Sequence, residues 1–229
     1  MIADNIGTVQ ARIRQACVAA GRPVESVTLL AVSKRFPPAA VRDAAGAGQR
    51  CFGENQVQEG VDKITALRSS GDALEWHLIG PLQSNKTRLA AEHFDWVHSV
   101  DRLKIAERLA EQRPPHLPPL QVCVQVNISG EATKSGVTPA DAPALAAAIT
   151  RLPGLRLRGL MAIPEPADGF EAQRVPHRAL RRLFDVLVDQ GLAVDTLSIG
   201  MSDDLEAAVA EGATMVRIGT AIFGTRESA

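Results

Sequence analysis

The chain has 229 residues, of which 45% are hydrophobic and 22% charged, and its formal net charge is −1. This length suits one globular domain with a sizeable core, and the charge balance excludes a protein built to bind nucleic acid or an anionic membrane. Three scattered cysteines without metal-ligand spacing predict reduced thiols in a cytoplasmic protein. We find no secretory signal and no apolar run long enough to cross a membrane.

A leading helix is predicted over residues 1–21, because Ile6, Val9, Ile13 and Cys17 recur at helical spacing before Gly21. Predicted strands and helices alternate after it. The predicted strands are residues 27–33, 49–53, 75–80, 95–100, 120–128, 155–162, 197–199 and 214–218. The predicted helices are residues 38–45, 57–67, 85–93, a helix to 112 with Asp101 as its N-cap, 138–151, 170–190, 203–211 and a remnant after Phe223.

This alternation predicts an α/β fold with parallel strands joined by right-handed crossovers. Eight units between residues 27 and 226 favour a single (β/α)8 TIM-type barrel with an extra N-terminal helix, in one domain over residues 1–229. An open doubly wound sheet is the alternative architecture.

The first predicted strand ends at a lysine. Its apolar, β-branched run predicts burial on both faces, and Pro37 and Pro38 stop it just after Lys34. Ligands sit at the carboxyl ends of such strands, and burial lowers the pKa of an amine, so Lys34 is a candidate nucleophile for a Schiff base. From this stretch alone, a lysine that reaches out to solvent is the simpler interpretation.

Polar residues and glycines follow the other predicted strands. Residues 198–203 and 218–221 join strands to helices and are rich in small residues, so their N–H groups could hold an anion, as barrel loops seven and eight do for phosphate. Arg217 could lie near a ring nitrogen or the phosphate, or could pair with a carboxylate. An amine facing a phosphate site suggests pyridoxal 5′-phosphate. The histidines show no ligand spacing, so we predict no metal.

With these residues assembled, the chain resembles the pyridoxal phosphate homeostasis protein family, whose fold is like the N-terminal barrel of alanine racemases. The matching segments are 30–34 (LAVSK), 52–59 (FGENQVQE), 76–86 (WHLIGPLQSNK), 126–128 (VNI), 134–136 (KSG), 159–161 (GLM), 197–204 (LSIGMSDD) and 216–224 (VRIGTAIFG).

The resemblance implies a role for each matching site residue. Lys34 would form the Schiff base, and Arg217 would lie close to the pyridine ring. Phosphate would be bound by Ser202, Gly219 and Thr220, and the pocket would be lined by Asn55, His77 and Met201. One departure is Phe36, where many relatives carry lysine or histidine. Lys134 matches a lysine associated with cofactor handling in the family, although the sequence alone favours a solvated loop lysine there.

Three functions compete. The first is a monomeric carrier that holds pyridoxal phosphate and hands it to apo-enzymes, without robust catalysis of its own. The second is an amino-acid racemase of fold type III, which would lack the tyrosine and second domain of alanine racemases and would need His77 or Lys134 as its second base. The third is a Schiff-base aldolase for a phosphorylated sugar, for which only Glu54 is a well-placed carboxylate. The sequence favours the carrier.

Overall fold

A computed structural model describes residues 1–68, 73–131 and 134–225 of the chain. Eight parallel strands pair in sequence order and close into a barrel, as predicted. The strands are β1 (Thr28–Val32), β2 (Cys51–Glu54), β3 (Glu75–Leu78), β4 (Trp96–Val100), β5 (Leu120–Gln125), β6 (Leu155–Met161), β7 (Thr196–Ser198) and β8 (Met215–Ile218). The predicted end of the barrel at residue 226, and the end of the predicted domain at 229, lie outside the described residues.

Helices surround the strands. They are α1 (Ile2–Ala19), α2 (Pro38–Gly46), α3 (Val57–Leu67), α4 (Thr87–His93), α5 (Leu103–Gln112), α6 (Ala142–Ile149), α7 (Phe170–Asp189), α8 (Leu205–Ala210) and α9 (Thr220–Phe223). Within the described ranges, no helix has both the length and the apolar character needed to cross a bilayer.

The apolar core lies mainly between the barrel and its helices. Successive side chains of a strand point to opposite faces. In β1, Leu29 and Ala31 belong to the large cluster that includes helix residues, whereas Leu30 and Val32 belong to a smaller cluster with Met215. The interior of the barrel is therefore less uniformly apolar, and it leaves room for polar side chains.

The leading helix α1 supports the last two loops of the barrel. Its buried face packs against α8 and α9. On its polar side, Asn5 Nδ2 donates to the Ile222 carbonyl at 2.8 Å, and Arg12 Nη2 donates to the Ser202 carbonyl at 2.9 Å. Arg12 also pairs with Glu206 at 2.9 Å. The helix that precedes the barrel thus fixes the loops after β7 and β8.

Several predicted helix starts were wrong. Asp101 is not an N-cap, because α5 begins at Leu103 after Arg102, and the Asp101 carboxylate accepts a hydrogen bond from Arg102. The helix predicted from residue 138 begins at Ala142, since Thr138 and Asp141 bond each other in a turn.

The last two helices also differ from their predicted bounds. The helix predicted from residue 203 begins at Leu205, after Asp204. The final helix lies over Thr220–Phe223 instead of after Phe223, because β8 ends at Ile218 and Gly219 leads directly into it. This helix start therefore lies directly beside the carboxyl end of the last strand.

Replacing Gly159 with alanine should strongly destabilise the barrel. Its φ is +153°, and an added Cβ would lie 1.9 Å from the Thr196 carbonyl oxygen of the neighbouring strand β7. We expect a loss of about 3 kcal/mol or more in the free energy of unfolding, measured by urea denaturation. Gly7→Ala is the control, because open space surrounds that helical position and alanine should stabilise it by about 1 kcal/mol. Equal unfolding midpoints for Gly159→Ala and wild type would contradict the packing at β6–β7.

Candidate functional site

A cavity of about 640 Å³ lies where the carboxyl ends of the strands meet. Lys34, Arg217 and Thr220 line it together, so the first strand and the last two loops contribute to a single site. The structure brings seven of the eight predicted site residues to its wall: Lys34, Asn55, Met201, Ser202, Arg217, Gly219 and Thr220. Lys34 also lines two adjoining depressions.

The pairing of β1 with β8 explains why Lys34 lies beside the last loop. Leu30 is opposite Arg217 and Ala31 is opposite Ile218 in this parallel ladder. Parallel strands carry their chains out at the same edge, so the turn that contains Lys34 emerges next to Gly219 and Thr220. The register alone thus predicts that these groups share one opening.

A buried cluster of Ser33, Glu54, Glu59 and Lys63, here named the lysine clamp, holds the backbone on both sides of Lys34. Lys63 Nζ donates to Glu54 Oε1 at 2.7 Å, to Glu59 Oε1 at 2.8 Å and to the Ser33 carbonyl at 2.7 Å. The Ser33 hydroxyl donates to Glu54 Oε1 at 2.5 Å, and the N–H of Arg35 donates to Glu59. Both residues adjacent to Lys34 are therefore anchored.

Glu54 serves the lysine clamp and does not line the cavity. Its side chain is fully buried, and that of Lys63 is 5% exposed. Burial raises the pKa of Glu54, while the hydrogen bonds from Lys63 and Ser33 oppose this shift. Glu54 therefore depends on its partners to remain charged in the folded protein. Glu54 does stand at the end of β2, as predicted, but its carboxylate is buried in the lysine clamp and does not reach the cavity.

The turn after Lys34 also contacts the end of the barrel sequence. Arg35 has φ of +65°, a left-handed conformation that is uncommon for a residue other than glycine. The chain then bends so that the ring of Phe36 stacks on Phe223 of α9, with ring centroids 5.1 Å apart. The loops after β1 and β8 are thus joined by side chains as well as by strand pairing.

The loop after β7 is rigidly held. Asp204 Oδ1 accepts a hydrogen bond from the Met201 N–H at 2.6 Å, and Asp204 Oδ2 lies 2.9 Å from His177 Nε2. Burial alone would raise the pKa of Asp204, but its bonds with His177 and Met201 lower it, so the carboxylate is charged. Gly200 has φ of +93°, and a Cβ there would lie 2.6 Å from the Ala208 Cβ, which explains the small residue.

The start of α9 supplies donors to the same wall of the cavity. The first N–H groups of a helix have no acceptor within the helix. Gly219 and Thr220 stand at this start and both line the cavity, as does Ser202 from the neighbouring loop. Backbone N–H groups and hydroxyls of this kind bind phosphate oxygens. This wall therefore presents hydrogen-bond donors at the place where the sequence predicts an anion site.

Arg217 places a buried cation in the cavity wall. It is 4% exposed, and Nη1 donates to the hydroxyl of Ser198 at 2.8 Å and to its carbonyl oxygen. Nη2 donates to the Ala162 carbonyl at 2.8 Å. Burial lowers the pKa of Arg217 to about 10, so it remains charged at neutral pH. These partners are neutral oxygens, and no described carboxylate forms an ion pair with Arg217.

His77 does not line the cavity. Strand β3 ends at Leu78, so His77 lies deeper in the barrel, and the following Ile79 and Gly80 reach the wall instead. Its fully buried ring stacks on Trp96 with centroids 5.2 Å apart, and its Nε2 lies 2.8 Å from Glu75.

The sequence analysis did not predict every residue of the cavity wall. Gln125 lines the cavity, and the alternation of β5 could have indicated this position. Lys134 also lines it, where it pairs with Glu131.

Comparison with known proteins identifies the family. The family described as "Alanine racemase, N-terminal domain" matches residues 5–227. A pyridoxal phosphate homeostasis protein of Pseudomonas aeruginosa is 63% identical over 226 residues, which are 99% of this chain and 96% of the relative. The chain belongs to the pyridoxal phosphate homeostasis protein family.

Solved structures agree with this family assignment. The structure of PipY from Synechococcus elongatus, described as having PLP bound, is 39% identical and covers 98% of this chain and 100% of PipY, with a TM-score of 0.85. An alanine racemase of Clostridium difficile has a TM-score of 0.76 at 18% identity, and the match covers 98% of this chain and 58% of the racemase. The homeostasis family thus shares its barrel fold with the racemase.

Removing the lysine clamp should destabilise the protein in a pH-dependent way. Lys63→Met leaves the buried Glu54 carboxylate without its cation, and we expect a loss of about 3–5 kcal/mol at neutral pH. Burial already raises the pKa of Glu54, and the substitution raises it further. A carboxyl whose folded pKa is raised loses stability as the pH rises from its unfolded pKa to its folded pKa, so the deficit should be complete above the folded pKa and should shrink as the pH falls below it. Urea unfolding across pH measures this.

Two controls accompany this experiment. Lys104→Met removes an exposed lysine of α5 and should leave stability unchanged. Adding Glu54→Gln to Lys63→Met removes the buried charge and should restore much of the loss. A deficit that is constant with pH, or absent, would contradict the role assigned to the clamp.

Proposed function

We propose that this chain binds pyridoxal 5′-phosphate at the barrel mouth, holds it as a Schiff base on Lys34 and delivers it to apo-enzymes as part of pyridoxal phosphate homeostasis. The observation that carries the proposal is the single cavity whose wall contains Lys34 together with Ser202, Gly219 and Thr220. It is supported by the family and by the PLP described in the PipY structure.

The residues in the wall fit the chemical groups of the cofactor. The primary amine of Lys34 condenses with an aldehyde to give an imine, and one water molecule leaves. Ser202, Gly219 and Thr220 offer a hydroxyl and backbone donors to a phosphate group at the start of α9. The fixed cation of Arg217 lines the same cavity and would face the pyridine ring. Asn55 and Met201 also line this cavity.

The placement of the ionisable groups supports a carrier over an enzyme. A racemase needs a second base. One candidate, His77, is buried below the cavity, and the other, Lys134, is paired with Glu131. The aldolase alternative relied on Glu54, which is held in the lysine clamp. These positions favour retention of the cofactor without robust turnover, by a protein that we expect to be a cytoplasmic monomer.

Reduction of the untreated protein should identify the site of attachment. We expect the purified protein to be yellow, with an absorbance band that borohydride abolishes, and peptide mass spectrometry should place the reduced cofactor on Lys34. Lys34→Ala should weaken binding at least tenfold, whereas Lys104→Ala, an exposed control, should not. A colourless protein that binds sugar phosphates instead would support the aldolase function.

Transfer experiments should separate the carrier from the racemase. Incubation of loaded protein with an apo-enzyme that needs pyridoxal phosphate should restore the activity of that enzyme, and added amino acids should keep their chirality. Chiral chromatography and the activity of the acceptor provide the two readouts. Racemisation by the wild type that is lost in Lys34→Ala would support the racemase, and failure of every acceptor tested would overturn delivery.

A further inference from the structure

A continuous chain of hydrogen bonds crosses the interior of the barrel. It starts at Glu75, the first residue of β3, and continues through His77 and His98 to Ser198 and Arg217. We name it the interior chain. It connects β3 and β4 on one side of the barrel with β7 and β8 on the other, and its last member lies in the cavity wall.

The distances are short throughout the interior chain. His77 Nε2 lies 2.8 Å from Glu75 Oε1, and His77 Nδ1 lies 2.9 Å from His98 Nε2. His98 Nδ1 lies 2.8 Å from the Ser198 hydroxyl, which accepts from Arg217 at 2.8 Å. Both imidazole rings and Ser198 are fully buried, whereas the Glu75 side chain is 45% exposed at the opposite end of the barrel from the cavity.

The two ends of the interior chain determine where its protons lie. A guanidinium can only donate and a carboxylate can only accept. Ser198 accepts from Arg217, which leaves its own hydrogen available for His98 Nδ1. His98 then carries its proton on Nε2 and donates to His77 Nδ1, and His77 in turn carries its proton on Nε2 and donates to Glu75. Each hydrogen of Ser198, His98 and His77 in the interior chain then meets an acceptor, with both rings neutral and in the same tautomer.

Neutral rings agree with their surroundings. Burial lowers the pKa of His98 well below its usual value, and the positive charges of His77 and Arg217 would lower it further. Burial also lowers the pKa of His77, although Glu75 opposes the shift. Besides the rings themselves, the titratable and charged groups that act on them are Cys51, Glu75, Asp95, Arg158 and Arg217.

A metal ion at the base of the interior chain is the competing interpretation. The ligand atoms of Cys51, Glu75 and His77 lie within 4.8 Å of one another. A metal would need an unprotonated His77 Nε2, and both histidines would then carry their proton on Nδ1 instead of Nε2. Ser198 would then receive hydrogen bonds from both His98 and Arg217, and its own hydrogen would lose its partner in the interior chain. The proton arrangement without a metal is therefore favoured, because it gives the Ser198 hydrogen an acceptor.

We propose that Glu75, His77, His98 and Ser198 are positioning residues that fix the guanidinium of Arg217 against the bound cofactor. The inference rests on the proposed function, because it concerns how Arg217 meets the ring of pyridoxal phosphate. Ser198 is the essential link. Its hydroxyl joins the guanidinium to the two rings, while its carbonyl oxygen and that of Ala162 accept from two further N–H groups of Arg217.

Nuclear magnetic resonance of the cofactor-free protein tests the proton arrangement directly. With ¹⁵N-labelled histidine, both His77 and His98 should be neutral at pH 7 and protonated on Nε2. A scalar coupling should join His98 Nε2 to His77 Nδ1 through the shared hydrogen. Protonation of His77 on Nδ1, as a metal site requires, or a charged ring would overturn the proposal. This result does not depend on whether the protein binds pyridoxal phosphate.

Variants of the loaded protein test the effect on the cofactor. Ser198→Ala and His98→Leu should each weaken pyridoxal phosphate binding about tenfold and shift its absorbance maximum. His98→Gln should recover most of the affinity, because its amide can accept from Ser198 and donate to His77. Cys123→Ala, a buried neighbour outside the interior chain, controls for lost packing and should retain the wild-type spectrum. Wild-type affinity and spectrum in both Ser198→Ala and His98→Leu would overturn the proposal.

Discussion

The parallel pairing of β1 with β8 is the constraint on which the site depends. It closes the barrel, and its register sets Leu30 opposite Arg217 and Ala31 opposite Ile218. The residues that follow these strands must then emerge side by side, which gives one cavity a primary amine and a set of backbone donors. A shift of the register by one residue would exchange the inner and outer faces of the strand. Lys34 and Arg217 would then leave the cavity wall.

Two polar networks hold the chemical groups that strand pairing brings together. The lysine clamp joins the ends of β1 and β2 to α3 and anchors both neighbours of Lys34. The interior chain lies within the barrel and reaches Arg217 through Ser198. Each network buries charge and pairs it with several short hydrogen bonds, as buried ions require, although only Oε1 of the Glu54 carboxylate is bonded. The amine and the cation of the site are therefore both supported by residues that do not line the cavity.

Much of the architecture could be predicted from the sequence, because the alternation of buried strands and amphipathic helices is a local signal. The eight strands, their parallel order and the placement of Lys34 at the end of β1 follow from it. Helix starts were less reliable, because short-range bonds such as that between Thr138 and Asp141 replace the first helical turn.

The depth of a side chain within the barrel was harder to predict. His77 and Glu54 stand close to strand ends in the sequence, yet both are buried away from the cavity. Their partners are Lys63 on α3 and His98 on β4, and a single sequence does not indicate such long-range pairs. The same reason explains why the contacts of Arg12 with the Ser202 loop were not foreseen.

The stacked rings of Phe36 and Phe223 join the first and last loops at the mouth of the barrel by an apolar contact. Stacked rings contribute about 0.5–1.5 kcal/mol beyond the area they bury, and ionic strength hardly affects them. The pairing of Lys134 with Glu131 on another part of the wall is electrostatic and is screened by salt. Concentrated electrolyte should therefore weaken the contact between Lys134 and Glu131, while the contact between the first and last loops persists.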